Sequence, residues 1–118
     1  MSAEPILISL LSPLVSGRVY LDVAPSGAAL PRIVMQQVGG EVINYTEGTI
    51  PDKENARMQV VCWGASRFAA ANLAKQVEAA IKSSPLIQAS AIGARISGYE
   101  QDTALYSSHQ DFSIWTTR

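Results

Sequence analysis

One cysteine and one histidine stand among 118 residues, which leaves little for the side-chain sets that catalysis and metal binding draw on. Cys62 has no partner for an internal disulfide. Its neighbours Val60, Val61 and Trp63 mark it as a buried, reduced thiol inside a strand, as expected of a chain that folds in a reducing compartment. A zinc site would have to recruit Cys62, His109 and carboxylates from distant segments to reach four ligands. Charge of one sign is also missing. Nine basic and ten acidic residues leave a formal net charge of −1 with no basic run, so direct nucleic-acid binding by the monomer is not expected. The apolar stretch at 6–11 is broken by Ser9, is too short for a bilayer and follows no basic region, so neither a membrane span nor a secretion signal is expected. Gly39 and Gly40 lack the spacing, and the following lysine, of a phosphate-cradling loop.

What the chain does have is enough apolar material to fold. Hydrophobic residues make up 47% and charged residues 16%, far from the composition of a disordered chain. At this length a single domain, 1–118, is expected, removing roughly 65% of its unfolded surface from water. Residues 4–15 place Ile6, Leu7, Leu10, Leu11 and Leu14 at helical spacing, with Pro5 suited to a first turn. Residues 18–23 read as a short extended piece, and 24–31, with two prolines and a glycine, as a loop. Residues 32–38 alternate as a strand that bulges at Gly39 and Gly40 and continues through 41–45. The polar segment 46–55 predicts a long exposed connection. In the strand at 56–63, Met58, Val60 and Cys62 face one way, and Arg57, Gln59, Val61 and Trp63 the other. Ser66 caps a helix whose buried stripe is predicted as Ala69, Leu73, Val77, Ala80 and Ile81, ending at Ser83 and Pro85. A strand at 87–97, a loop at 98–109 and a strand at 110–116 complete the chain. Two strands before the main helix and two after predict an α+β fold with a mostly antiparallel four-stranded sheet and helices packed on one face.

The chemistry-bearing residues admit ordinary readings. Glu100, Asp102 and Asp111 could pair as carboxylates, but nothing nearby would drive their pKa values apart, and solvated acids are expected. Cys62, His109 and Asp111 are the set a small enzyme or ligand-binding domain would use, if they converged in a pocket. Trp63 and Trp115 fall on strand faces where large aromatics need cover, either from a helix or from another subunit.

Four segments in order carry a resemblance: APSGAALPRIVMQQ at 24–37, beginning with an AP turn and an LP step; RMQVVCW at 57–63; and YEQDTALY followed by SSHQDFSIW across 99–115. They resemble the phage and prophage tail-completion proteins of long-tailed double-stranded DNA phages. In that family an APxGxxLP segment precedes a strand, a second strand leads into the long helix, and a QDFSVW-like segment closes the protein. Pro25, Gly27, Leu30, Pro31, Gln59, Trp63, Asp111, Phe112 and Trp115 occupy the matching places. Ser107 and Ser108 stand where basic residues are common, and Arg32 where an aromatic is often found.

The resemblance implies a structural virion protein without cofactor or catalysis. Such a protein completes or terminates the tail tube and forms the tail-side surface for head–tail joining, as a homo-hexameric ring. Its partners would be itself, the major tail tube protein and a head–tail connector protein. It would sit at the tail end or neck of the virion, after assembly in the host cytoplasm. A head-side connector or adaptor is the neighbouring alternative. A ring needs two dissimilar contact patches on each subunit, and the segments 41–57 and 98–109 are the candidates. The candidate interface residues are Tyr45, Glu47, Asp52, Lys53, Glu54, Arg57, Trp63, Tyr106, Asp111 and Trp115.

Overall fold

A computed structural model describes residues 2–44, 48 and 52–117. The chain opens with α1 (Ala3–Leu11), where Pro5 sits in the first turn and Ile6, Leu7 and Leu11 are buried. Pro13 stops the α-helix, and one 3₁₀ turn (Ser12–Leu14) carries the chain on to buried Val15. Then come β1 (Val19–Leu21), β2 (Arg32–Gln37), β3 (Lys53–Gly64), α2 (Arg67–Ser83), β4 (Gln88–Glu100) and β5 (Leu105–Thr117).

The architecture is α+β, but the sheet has five strands in the order β1-β2-β3-β5-β4, and it is mixed. This corrects the four-stranded antiparallel expectation. The extended piece after Arg18 joins the sheet as β1, parallel to β2, with Val19 opposite Ile33 and Leu21 opposite Met35. The turn-rich segment at 22–31 makes the return. Arg18 ties it down, its Nε donating to the Pro31 carbonyl (2.8 Å) and its guanidinium to that of Leu30 (3.3 Å). Periodicity over three residues carries no sign of strand direction, so only the register shows it.

Strict alternation divides the sheet into two faces. Ile33, Met35, Ala56, Met58, Val60, Cys62, Phe112 and Ile114 are buried together with Leu7, Leu11, Leu73, Val77 and Ile81 of the helices. The helical layer therefore covers one face. On α2 the Ser66 hydroxyl accepts from the Ala69 N–H at 3.1 Å, as the cap predicts. The buried stripe is Ala70, Leu73, Ala74, Val77 and Ile81, so Ala69 lies outside it and Ala80 is only partly covered.

Three boundaries differ from expectation. Pairing beyond β2 persists only to Gly39, whose carbonyl accepts from the Arg57 N–H while the Val38 N–H donates to the Arg57 carbonyl (both 2.8 Å). The Glu41 N–H then turns to the Asn55 side chain (2.8 Å), and residues 41–44 form no strand. Gly40 makes this exit possible: its φ is +153°, and an added Cβ would fall 2.5 Å from the Asn55 carbonyl oxygen. β3 begins at Lys53, three residues earlier than its alternation implied. The loop expected at 98–109 is a hairpin, with β4 running to Glu100, a turn at 101–104 and β5 starting at Leu105.

Candidate assembly surface

The face of the sheet opposite the helices is built from the second residue of every alternating pair: Arg32 and Val34 on β2, Arg57, Gln59, Val61 and Trp63 on β3, and His109, Asp111, Ser113 and Trp115 on β5. Nothing among the described residues packs over it as a layer. The centre of this face is an ion pair. Arg57 reaches diagonally across the β3–β5 ladder, its guanidinium 2.8 Å and its Nε 2.9 Å from the Asp111 Oδ2. Both residues were singled out from sequence, and register brings them together.

The two tryptophans share the face but not a patch. Trp63 lies opposite Ser107 and Trp115 lies eight residues further along β5, roughly 27 Å away at the rise of an antiparallel strand. Both are half-buried. Arg32 pairs with Trp63 across the β2–β3 ladder and holds its guanidinium carbon 5.9 Å from the ring centroid, within reach of a cation–π attraction. A cation is therefore held against the ring of its cross-strand neighbour. Ile92 and Ile96 of β4 add apolar surface at the far rim of the sheet, 37% and 57% exposed.

The other candidates scatter. Tyr45 and Glu47 lie outside the described residues. Asp52 and Lys53 are exposed at the start of β3, and Glu54 is half-buried opposite Thr116. Tyr106 is in a strand, not a loop, and packs on Tyr99 of the hairpin with ring centroids 4.8 Å apart. The enzyme-like set also comes apart. Cys62 points into the helix-covered core, where burial pushes its thiol pKa up to about 12, while His109 and Asp111 project from the opposite face. Among the described residues no group of three or more His, Cys, Asp or Glu side chains could hold a metal ion, and no helix is long and apolar enough to cross a membrane.

One feature escaped the sequence. Between Ile92 and Ile96, β4 carries two more residues than β5 carries between its partners Asp111 and His109. The Gln110 amide Nε2 donates to the Gly93 carbonyl inside this bulge (2.8 Å), and Gly93 takes φ +75°. The bulge brings Arg95 to α2, 3.8 Å from the Glu78 carboxylate, and opens a groove beside Phe68. A glycine inside an alternating strand is the one signal that could have marked it.

Fold and surface together define an α+β sheet protein with helices on one face and the other face open. The model of the family described as tail completion protein gp17 matches residues 8–117, and the chain belongs to that family of structural phage tail proteins. A solved structure titled virion of native gene transfer agent (GTA) particle contains a chain of similar fold. Its TM-score is 0.50 at 13% identity, covering 98% of this chain and 87% of that one. Comparison with curated proteins gives no match.

Proposed function

We propose that this protein acts as one domain, 1–118, that completes or terminates the tail tube of a phage or phage-like particle and presents the tail-side surface for head–tail joining. The family match across 8–117 carries the reading. It works as a homo-hexameric ring between the major tail tube protein and a head–tail connector protein, at the tail end of the virion, after assembly in the host cytoplasm. It is not an enzyme and takes no cofactor, in keeping with the separation of Cys62 from His109 and Asp111 by the sheet.

The open face supports this use. Half-buried tryptophans at its two ends, with a charge pair and polar residues between, resemble the mixed composition of contact surfaces more than that of a solvent face. Arg57, Asp111, Trp63 and Trp115 are its contact residues, with Tyr45, Glu47 and Asp52 in the neighbouring connection, Lys53 and Glu54 at the start of β3 and Tyr106 on the hairpin.

Sedimentation velocity over a concentration series, with electron microscopy of purified tail tubes to which the protein is added, tests the reading. Rings in solution, or density capping one end of the tubes, are expected. A protein that stays monomeric and leaves both tube ends bare refutes it. Density at the head portal of a tagged virion, with none on the tail, assigns it to the head side instead.

A further inference from the structure

The exposed large apolar side chains among the described residues divide between the two sides of the sheet. Leu21, Val23 and Val38 stand at or beside the β1–β2 border, and Val42 and Ile43 follow where the chain leaves β2. Phe68, Leu86, Ile92, Ile96 and Tyr99 belong to β4, the segment before it and the start of α2. None belongs to the inner strands β3 and β5. At the first border β1 ends in a small fixed knob. Asp22 takes the left-handed conformation, φ +66°; its N–H donates to the Met35 carbonyl and the Val23 N–H to that of Leu21 (both 2.7 Å). The turn leaves Val23 76% exposed. Beside it the Asp22 carboxylate is exposed, with no hydrogen-bond or ion-pair partner among the described residues.

At the other border a groove of about 590 Å³ runs between α2 and the bulge of β4. Arg67, Phe68 and Ala71 of α2 form one wall, and Ala91 and Ala94 of β4 the other. Ser97, Ser108 and Gln110 add polar groups, so the lining suits a peptide turn carrying one apolar side chain better than a wholly apolar helix face. Phe68 is 79% exposed, an aromatic on the first turn of a helix whose buried stripe starts at Ala70. Glu78 also lines the groove, and Arg95 and Lys82 share its carboxylate at 3.8 and 3.9 Å. Arg67, by contrast, is exposed and has no partner for its guanidinium among the described residues.

We propose that the groove receives the Leu21–Val23 turn of a second copy, with Val23 against Phe68 and the Asp22 carboxylate facing the Arg67 guanidinium. The assignment rests on the ring reading above. An unpaired anion beside an exposed aliphatic side chain thus meets an unpaired cation beside an exposed ring. The turn cannot fill the groove of its own chain, because four strand spacings, roughly 19 Å, separate β1 from β4. Dissimilar patches on opposite borders make a head-to-tail contact, the kind that closes rings. The hairpin turn at 101–104, with Asp102, could also offer a carboxylate to Arg67. It belongs to the groove's own border, however, and seating it there would join two copies about a two-fold axis and stop at two.

Three variants of the full-length protein test this. Val23→Ser, Asp22→Asn and Arg67→Gln each change an exposed side chain, and asparagine tolerates the left-handed conformation of Asp22. Circular dichroism and melting temperature should therefore stay at wild-type values. Assembly, read by sedimentation velocity and by the fraction of tail tubes capped, should weaken roughly tenfold in each, the scale of a close charge pair or one buried aliphatic side chain. The double variant Asp22→Asn/Arg67→Gln should assemble no worse than the weaker single one, because both changes remove the same contact. Additive losses, variants that assemble like the wild type, or a dimer as the end point would each overturn the groove assignment and leave the ring standing. A wild type that neither associates nor caps tubes would instead overturn the ring reading and the groove with it.

Discussion

Cys62 shows how a residue's place in the fold sets its chemistry. On the core face of β3, with Val60 and Phe112 in the same cluster, its thiol ionises only near pH 12, against 9.0 for the free group, because burial penalises the thiolate. As pH rises above 9.0 the unfolded chain loses this proton while the folded chain keeps it, so folding stability falls through the window up to about 12. Denaturant titrations at stepped pH should show that slope in the wild type and a shallower one in Cys62→Ala, whose cavity cost is the same at every pH. Folded protein at pH 8 should also resist iodoacetamide, with Cys62 becoming reactive on unfolding. Rapid alkylation of the native protein would contradict the burial. The thiol's inertness was legible in its apolar neighbours. The location of Asp111 and His109 on the opposite face needed the β3–β5 register.

Elements were legible where burial imposes a period. β3 alternates because one of its faces meets the helices, and α2 shows its stripe because only one side is covered. Leu73, Val77 and Ile81 of that stripe were read correctly, but Ala69 and Ala80 were placed in it instead of Ala70 and Ala74, since alanines at 69, 70, 71, 74, 79 and 80 carry little signal of which side is covered. β4 beyond Ser97 was invisible as a strand: its residues there are largely exposed, so no periodicity distinguishes them from a polar loop. β1 was legible as an extended piece, but not as a parallel strand of the sheet, because three residues give no direction. The start of α2 was set by local chemistry alone, and its worth can be measured. Ser66→Ala removes the acceptor for the Ala69 N–H and should cost about 1 kcal/mol in urea unfolding, while Ser66→Asp should restore most of it.

At the scale of the molecule, the core and the proposed contact surface lie on opposite faces of one sheet. The core lies on the helical side, so changes on the open face should separate the two properties. Asp111→Asn breaks the pair with Arg57, whose side chain is 46% exposed. It should cost no more than about 1 kcal/mol of monomer stability in denaturant titrations, yet it should disturb ring formation if that pair sits in a contact. A loss of several kcal/mol would mean that the pair holds the fold itself. The sheet's two borders add a further constraint. One border is β1, three residues long and strapped to its return loop through Arg18; the other is β4, broken by the bulge held by Gln110. Neither offers a long, regular row of peptide groups to an incoming strand. Both borders thus disfavour stitching sheets of neighbouring copies edge to edge. In the proposed ring, contact between copies would therefore fall to side-chain patches, whose mutual angle would fix how many copies close a circle before the assembly stops growing.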